Sequence, residues 1–217
     1  MGDDPTGLSS TGNAWYLRTG SLPRARWEVR CHLTGQHPDG STVDARDLGT
    51  EAVEAYRDDT VLWRAGLDPE GRARVCVSEW AAPGAPAAWF VLLLGETEGR
   101  AQATLVAFAT DHLPDGTVVP DATFFTMPIR SDDQAAAVRW WRDTAVVHQI
   151  HTKPDHRRSH LATKLVYVAS GIHQLHGWPD RLHSDGRRTD EGHQFVTGLG
   201  HPDRIARWTE RARIEPG

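Results

Sequence analysis

The chain has 217 residues, 39% hydrophobic and 24% charged, enough to bury a sizeable core as one domain or as one domain with an extension. A net charge of −5 argues against general nucleic-acid binding, and no run of about 18 apolar residues offers a membrane span. Cys31 and Cys76 are too few for a disulfide framework, and the polar, acidic start MGDDPTGLSSTG does not suit a signal peptide, so a cytoplasmic protein without membrane attachment is expected.

In chain order, residues 1–13 read as a flexible N-terminal arm and residues 14–217 as one domain. Trp15, Tyr16 and Leu17 are expected to anchor the start of that domain. From Arg26 to Leu33, Trp27, Val29, Cys31 and Leu33 alternate with charged and polar residues, the pattern of a half-buried strand. His37-Pro38-Asp39-Gly40 is a turn. Asp47 to Trp63 predicts a helix with Val53, Tyr56, Thr60 and Trp63 near one face. Arg72 to Trp80 predicts a strand. Ala88 to Leu94 is a continuous apolar run of strand length, as in a strand buried on both faces. Gln102 to Thr110 should pair with it as a hairpin across residues 95–100. Residues 111–124, with Pro114, Asp115-Gly116 and Pro120, read as a long hairpin loop or an insertion over a substrate site. Ser131 to Trp141 predicts a helix capped by Ser131, with Asp132 and Asp133 in its first turn and an alanine run behind them.

The stretch from Thr144 to His176 is the most organised. Thr144 to Ile150 predicts a strand that Pro154 ends, since proline has no N–H for a ladder. A polar, basic loop follows, Asp155-His156-Arg157-Arg158-Ser159-His160. Leu161, Leu165, Val168, Ile172 and Leu175 then recur at steps of three and four, one apolar helix face that Gly177, Trp178 and Pro179 close. First-turn amides of a helix have no intrahelical partners, and a loop that brings arginines to them can hold an anion. The plainer alternative is a strand–turn–helix whose arginines are solvated. Pro179 to Ser184 predicts a short strand and Asp190 to Leu199 a helix ended by Gly200; the tail from His201 has barely room for a closing pair of strands, and Arg204 to Ile214 can be helical instead.

Arg157-Arg158-Ser159-His160-Leu161-Ala162-Thr163 resembles the acyl-CoA pyrophosphate loop of GNAT-type N-acetyltransferases, whose pattern is Gln or Arg, two residues, Gly, one residue, then Gly or Ala. Arg157 and Ala162 match the ends of that pattern, and His160 stands at the glycine. The stretch from Leu182 to Gly200, closing on Phe195 and Gly200, is similar to the next strand and helix of that family. The likeness covers about residues 140–200. It implies an α/β fold with a mixed, mostly antiparallel central sheet flanked by helices, in a single domain, and acyl transfer from acetyl-CoA or another acyl-CoA to an amine of a small molecule or peptide. It also implies that the amides of Ile150, His151 and Thr152 receive the pantetheine arm and that Arg157, Arg158, Ser159, His160, Leu161, Ala162 and Thr163 hold the pyrophosphate.

The family often has a glutamate base on the central strand, and this strand has none; His148, with an ordinary pKa of about 6.5, is the candidate base. The alternative for His148 is a hydrogen-bonded structural histidine. The family's tyrosine acid falls at or beside Val196, leaving Ser184 or His183 as substitutes. Two rival functions follow from these departures. One is a degenerate GNAT-like domain that binds CoA or a protein partner without turnover. The other is acyl transfer from a carrier-protein- or tRNA-linked donor. His148/His151 and His173/His176 have ligand-like spacings, but on a strand the first pair should point to opposite faces and the second lacks Asp or Cys partners at fixed spacing, so no metal is expected. A homodimer is compatible with the sequence.

Overall fold

The computed structural model of the chain describes residues 13–20, 25–32, 37–38, 40–48, 60–185, 187–188 and 210–211. The strands are β1 (Asn13–Thr19), β2 (Arg26–His32), β3 (Thr42–Asp44), β4 (Thr60–Leu67), β5 (Ala73–Val77), β6 (Trp89–Thr97), β7 (Arg100–Phe108), β8 (Thr117–Pro120), β9 (Gln134–Trp141), β10 (Val146–Thr152), β11 (His183–Ser184), β12 (Arg187–Arg188) and β13 (Glu210–Arg211). The helices are α1 (Asp121–Phe124) and α2 (Leu161–Leu175). Eleven strands make one sheet in the order β11-β10-β9-β7-β6-β8-β5-β4-β2-β1-β3, while β12 and β13 pair separately. Most neighbours in the large sheet are antiparallel; β1/β3, β6/β8 and β10/β11 are parallel. The fold is α/β, with a large mixed sheet and two α-helices among the described residues. None of their helices is long and apolar enough to cross a membrane.

The apolar run of β6 is buried on both faces, as its composition predicts. Phe90 and Leu92 join the cluster that contains Leu161, Leu165, Val168, Ala169 and Ile172 of α2. Trp89 and Val91 face the other way, with Val106, Phe108 and Val119, beneath Phe124, Met127 and Ile129. Each large side chain taken out of water on either face contributes roughly 1.5–3 kcal/mol. The β6–β7 hairpin turns on Glu98 and Gly99, both at positive φ, the geometry of the tightest two-residue turn. Trp15, Tyr16 and Leu17 of β1 are buried, and Trp27 of β2 faces inward.

Helix α2 crosses β4 and β5 at close range. A Cβ at Gly171 would lie 2.8 Å from Val75 Cγ1 and 3.2 Å from the Ala65 Cβ. Two residues further along, the Trp140 indole N–H donates to His173 Nδ1 at 3.1 Å, so His173 Nε2–H donates to the Pro179 carbonyl at 2.8 Å. That arrangement requires a neutral imidazole, and burial pushes its pKa down.

Several expectations change. Ser131–Trp141 is not a helix: a single 3₁₀ turn at Ser131–Asp133, without a side-chain cap, leads into β9. Alanine's helix propensity is overruled there because β9 is paired on both sides, with β7 and β10, and its small side chains let α2 approach. Thr60 and Trp63 lie in β4, not on a helix, with Trp63 paired to Val29 and Val77. Residues 111–124 are not a bare loop. They supply β8, which pairs with β5 and β6, and then α1. The strand expected from Arg72 to Trp80 stops at Val77, where the amides of Ala81 and Ala82 turn back to the Ser78 carbonyl. Glu210–Arg211 is strand rather than helix. The domain start expected at residue 14 lies one residue inside β1. Residues 1–12, the segment 49–59 and the helix expected at Asp190–Leu199 lie outside the described residues.

Two outcomes are expected. Gly171→Val should cost about 1–3 kcal/mol in denaturant unfolding, through overpacking against Val75. His173 has a folded pKa below its unfolded value of about 6.5, so its contribution is fully present above that pH and is lost as pH falls below it. The melting temperature should therefore drop between pH 7.5 and 5, and His173→Gln should show a shallower drop.

Candidate functional site

Among the described residues, strand β10 is where the sheet loses its partner. On one side it pairs along its length with β9, and Lys153 N–H continues that ladder by donating to the Ala135 carbonyl. On the other side β11 runs parallel to it for two pairs only, Val146↔His183 and Val147↔Ser184. Antiparallel pairing alternates, so counting back from Lys153 turns the His151 amide toward β9 and the amides of Ile150 and Thr152 toward the outer edge. The Thr152 carbonyl on that edge accepts from Arg157 Nε at 3.3 Å. Ile150, 37% exposed, shares the face on which α2 packs.

The loop after β10 is wound tightly. Pro154–His156 form a 3₁₀ turn, and Ser159 Oγ–H donates to the His156 carbonyl at 2.7 Å. Arg158 and His160 have φ of 60° and 57°, in the left-handed region where glycine alone carries no steric penalty. His160 is the N-terminal boundary residue of α2, and its side chain makes no capping bond. Lys164 N–H reaches the His160 carbonyl, so by helix geometry the amides of Leu161, Ala162 and Thr163 have no intrahelical acceptor. The Leu161 side chain itself is fully buried in the core. Arg157, Arg158 and His160 are exposed around this end of the helix.

His148 sits at a bulge. The register slips between Val147 and Gln149, which inserts one residue opposite β9. His148 therefore does not share a side with Ile150 and Thr152, as uninterrupted alternation predicts. It projects from the same face as His151, where its ring stacks on Trp141 with centroids 4.4 Å apart. Thr97 Oγ–H donates to Gln102 Oε1 at 3.1 Å, which leaves the Gln102 amide N–H to donate to His148 Nε2 at 3.0 Å. His148 is then neutral, with its proton on Nδ1. Burial lowers its pKa first; the Arg139 and Arg100 charges lower it further, and Asp185 opposes them. Ser184 lies on β11 beside Val147, and its hydroxyl is shielded from water without a hydrogen-bond partner among the described residues.

The structure thus brings Ile150, Thr152 and Arg157 together at the open edge, with Arg158, Ser159, His160, Ala162 and Thr163 at the helix start. His148 and His151 lie on the opposite face. Alternation within single strands did not reveal Gln102, Arg139, Trp141 and Arg100 as neighbours of His148. The signal was present as Gln102-x-Thr104 and Arg139-x-Trp141, but only the β7–β9–β10 register aligns them. Trp141 also carries Arg100, whose guanidinium lies 4.5 Å from the ring centroid and pairs with Asp143 at 3.2 Å.

Gln102→Glu should raise the titration midpoint of the His148 ring, followed by NMR, because a carboxylate stabilises the imidazolium that the amide N–H disfavours. A midpoint equal to that of the unsubstituted protein is the outcome that dissolves the Gln102–His148 contact.

No family model matches the chain, and neither a curated protein nor a solved structure matches it.

Proposed function

We propose that the chain is an N-acyltransferase that uses acetyl-CoA, or another acyl-CoA, to acylate an amine. The observation that carries this reading is the parting of β10 from β11 after two residue pairs, followed directly by a wound loop and the start of α2. An extended amide-bearing arm needs backbone partners along a line, and a diphosphate needs amides and cations at the end of that line. The outward amides of Ile150 and Thr152 suit the first need. The first-turn amides of α2, with Arg157 and Arg158, suit the second. The left-handed backbone at His160 also agrees with the glycine that GNAT-type enzymes have at that point. The features of residues 144–185 thus support a GNAT-like arrangement.

Bound acyl-CoA supplies a thioester: the amine nitrogen bonds to its acyl carbon, the C–S bond breaks, and the thiolate leaves with the electron pair. The chain's own groups manage protons and position. His148 is neutral at neutral pH and has its basic nitrogen, Nε2, toward Gln102. Once Nε2 takes the proton of the attacking amine, Gln102 and Thr97 can reverse their donor sense, so that the new N–H keeps an acceptor. The unpartnered Ser184 hydroxyl stands at the point where the two strands separate, where it can donate toward the leaving sulfur.

A thermal-shift titration with acetyl-CoA should raise the melting midpoint with concentration. Arg157→Ala with Arg158→Ala should weaken CoA binding by calorimetry, each lost contact costing roughly 1.5–3 kcal/mol. Undiminished affinity in a folded double variant rules out the loop as the diphosphate site. His148→Ala should lower kcat more than it raises the KM for acyl-CoA.

A further inference from the structure

Among the described residues, the sheet face that carries His148 is covered at one end only. Val91 and Val106 lie beneath Phe124, Met127 and Ile129, but the next two rows of side chains are not covered by any described element. In the first of these rows Leu93 pairs with Thr104, Thr104 with Arg139 and Arg139 with Gln149. The second holds Gly95, Gln102 and Trp141, with His148 stacked on its end. A Cβ at Gly95 would meet nothing within 4 Å. The floor is shallow and ends at a charged side.

The charges on this floor are arranged by sign. Arg100 is compensated by Asp143. Arg139 is exposed, donates to the neutral carbonyl of Gln149 at 3.0 Å, and makes no ion pair among the described residues. It lies on β9, on one side of His148. An exposed cation therefore stands one strand away from one neutral imidazole.

We infer that the acceptor is a small molecule of the α-amino-acid type, with its carboxylate on Arg139 and its amine at His148. This inference rests on the acyl-transfer reading of the same site. A single uncompensated guanidinium matches a monoanion, and its planar fork matches the two oxygens of a carboxylate. Cross-strand neighbours and their diagonals lie only about 5–8 Å apart, which suits an acceptor whose two charges are close together. His148 takes the proton that must leave before nitrogen can attack.

The test uses the full chain and two readouts. Calorimetry measures CoA binding to the unsubstituted protein and to Arg139→Gln. NMR follows the His148 ring protons as N-acetyl amino acids, and separately their carboxamides, are added. The acids should shift the His148 signals and saturate at concentrations about tenfold or more below the amides. Arg139→Gln should abolish that preference and leave CoA affinity unchanged. Equal responses to acids and amides, a preference that survives Arg139→Gln, or no response to either set overturns the inference while intact CoA binding preserves the acyltransferase reading. Loss of CoA binding with a retained, Arg139-dependent acid preference overturns the acyltransferase reading and leaves the carboxylate site standing.

Discussion

Leu161, Leu165, Val168, Ala169 and Ile172 leave water together, and the surface that receives them is the sheet face that includes Ala65, Val75, Val138 and Trp140. That burial decides the path of the chain on either side of it. The helix must start beyond the end of β10 and finish beyond the start of β11, because it lies across strands that both flank. The chain then returns parallel to β10, the topology that a strand–helix–strand crossover imposes. Gly171 permits the approach: a larger residue there would lift the helix from Val75 and open the space between the helix and β10. The position of the loop, its arginines and the first-turn amides follows from where the apolar face begins.

A second consequence is electrostatic. The chain is acidic overall, yet the described surface around β10 gathers Arg100, Arg139, Lys153, Arg157 and Arg158. The cations near the helix start and those on the opposite face belong to different neighbourhoods. Arg157 is turned to the outer edge of β10 through the Thr152 carbonyl. Arg139 lies one strand inward, on the other side of the sheet. The sheet, about one residue thick, separates two anion-suited regions, and β10 is the strand that touches both.

What could be read from the sequence followed the strength of local periodicity. The helix from Leu161, the double-sided strand at Trp89 and the strand ending before Pro154 all have patterns that no tertiary contact overrules. Ser131 to Trp141 failed because alanine is ambiguous: it favours helices in isolation and fills narrow spaces under a helix equally well. The four residues of β8 are too few to carry a period, and their place between β5 and β6 depends on partners far away in sequence. The wound loop from Pro154 to His160 was legible because turn signals are local. The surroundings of His148 were not, since Gln102, Arg139 and Trp141 reach it through strand register and a bulge that composition does not announce.

The bulge has a meaning for how such a site can change over time. In a regular strand, the identity of a residue and the side on which it acts are separate matters, and substitution alters only the first. Here one surplus residue between Val147 and Gln149 sets the side as well. Gaining or losing a single codon in β10 would move an imidazole from one face of the sheet to the other while every other residue of the strand kept its partner. Strand length is thus a heritable variable of the chemistry, and a comparison of relatives that scores substitutions but ignores one-residue gaps would pass over the change that matters most.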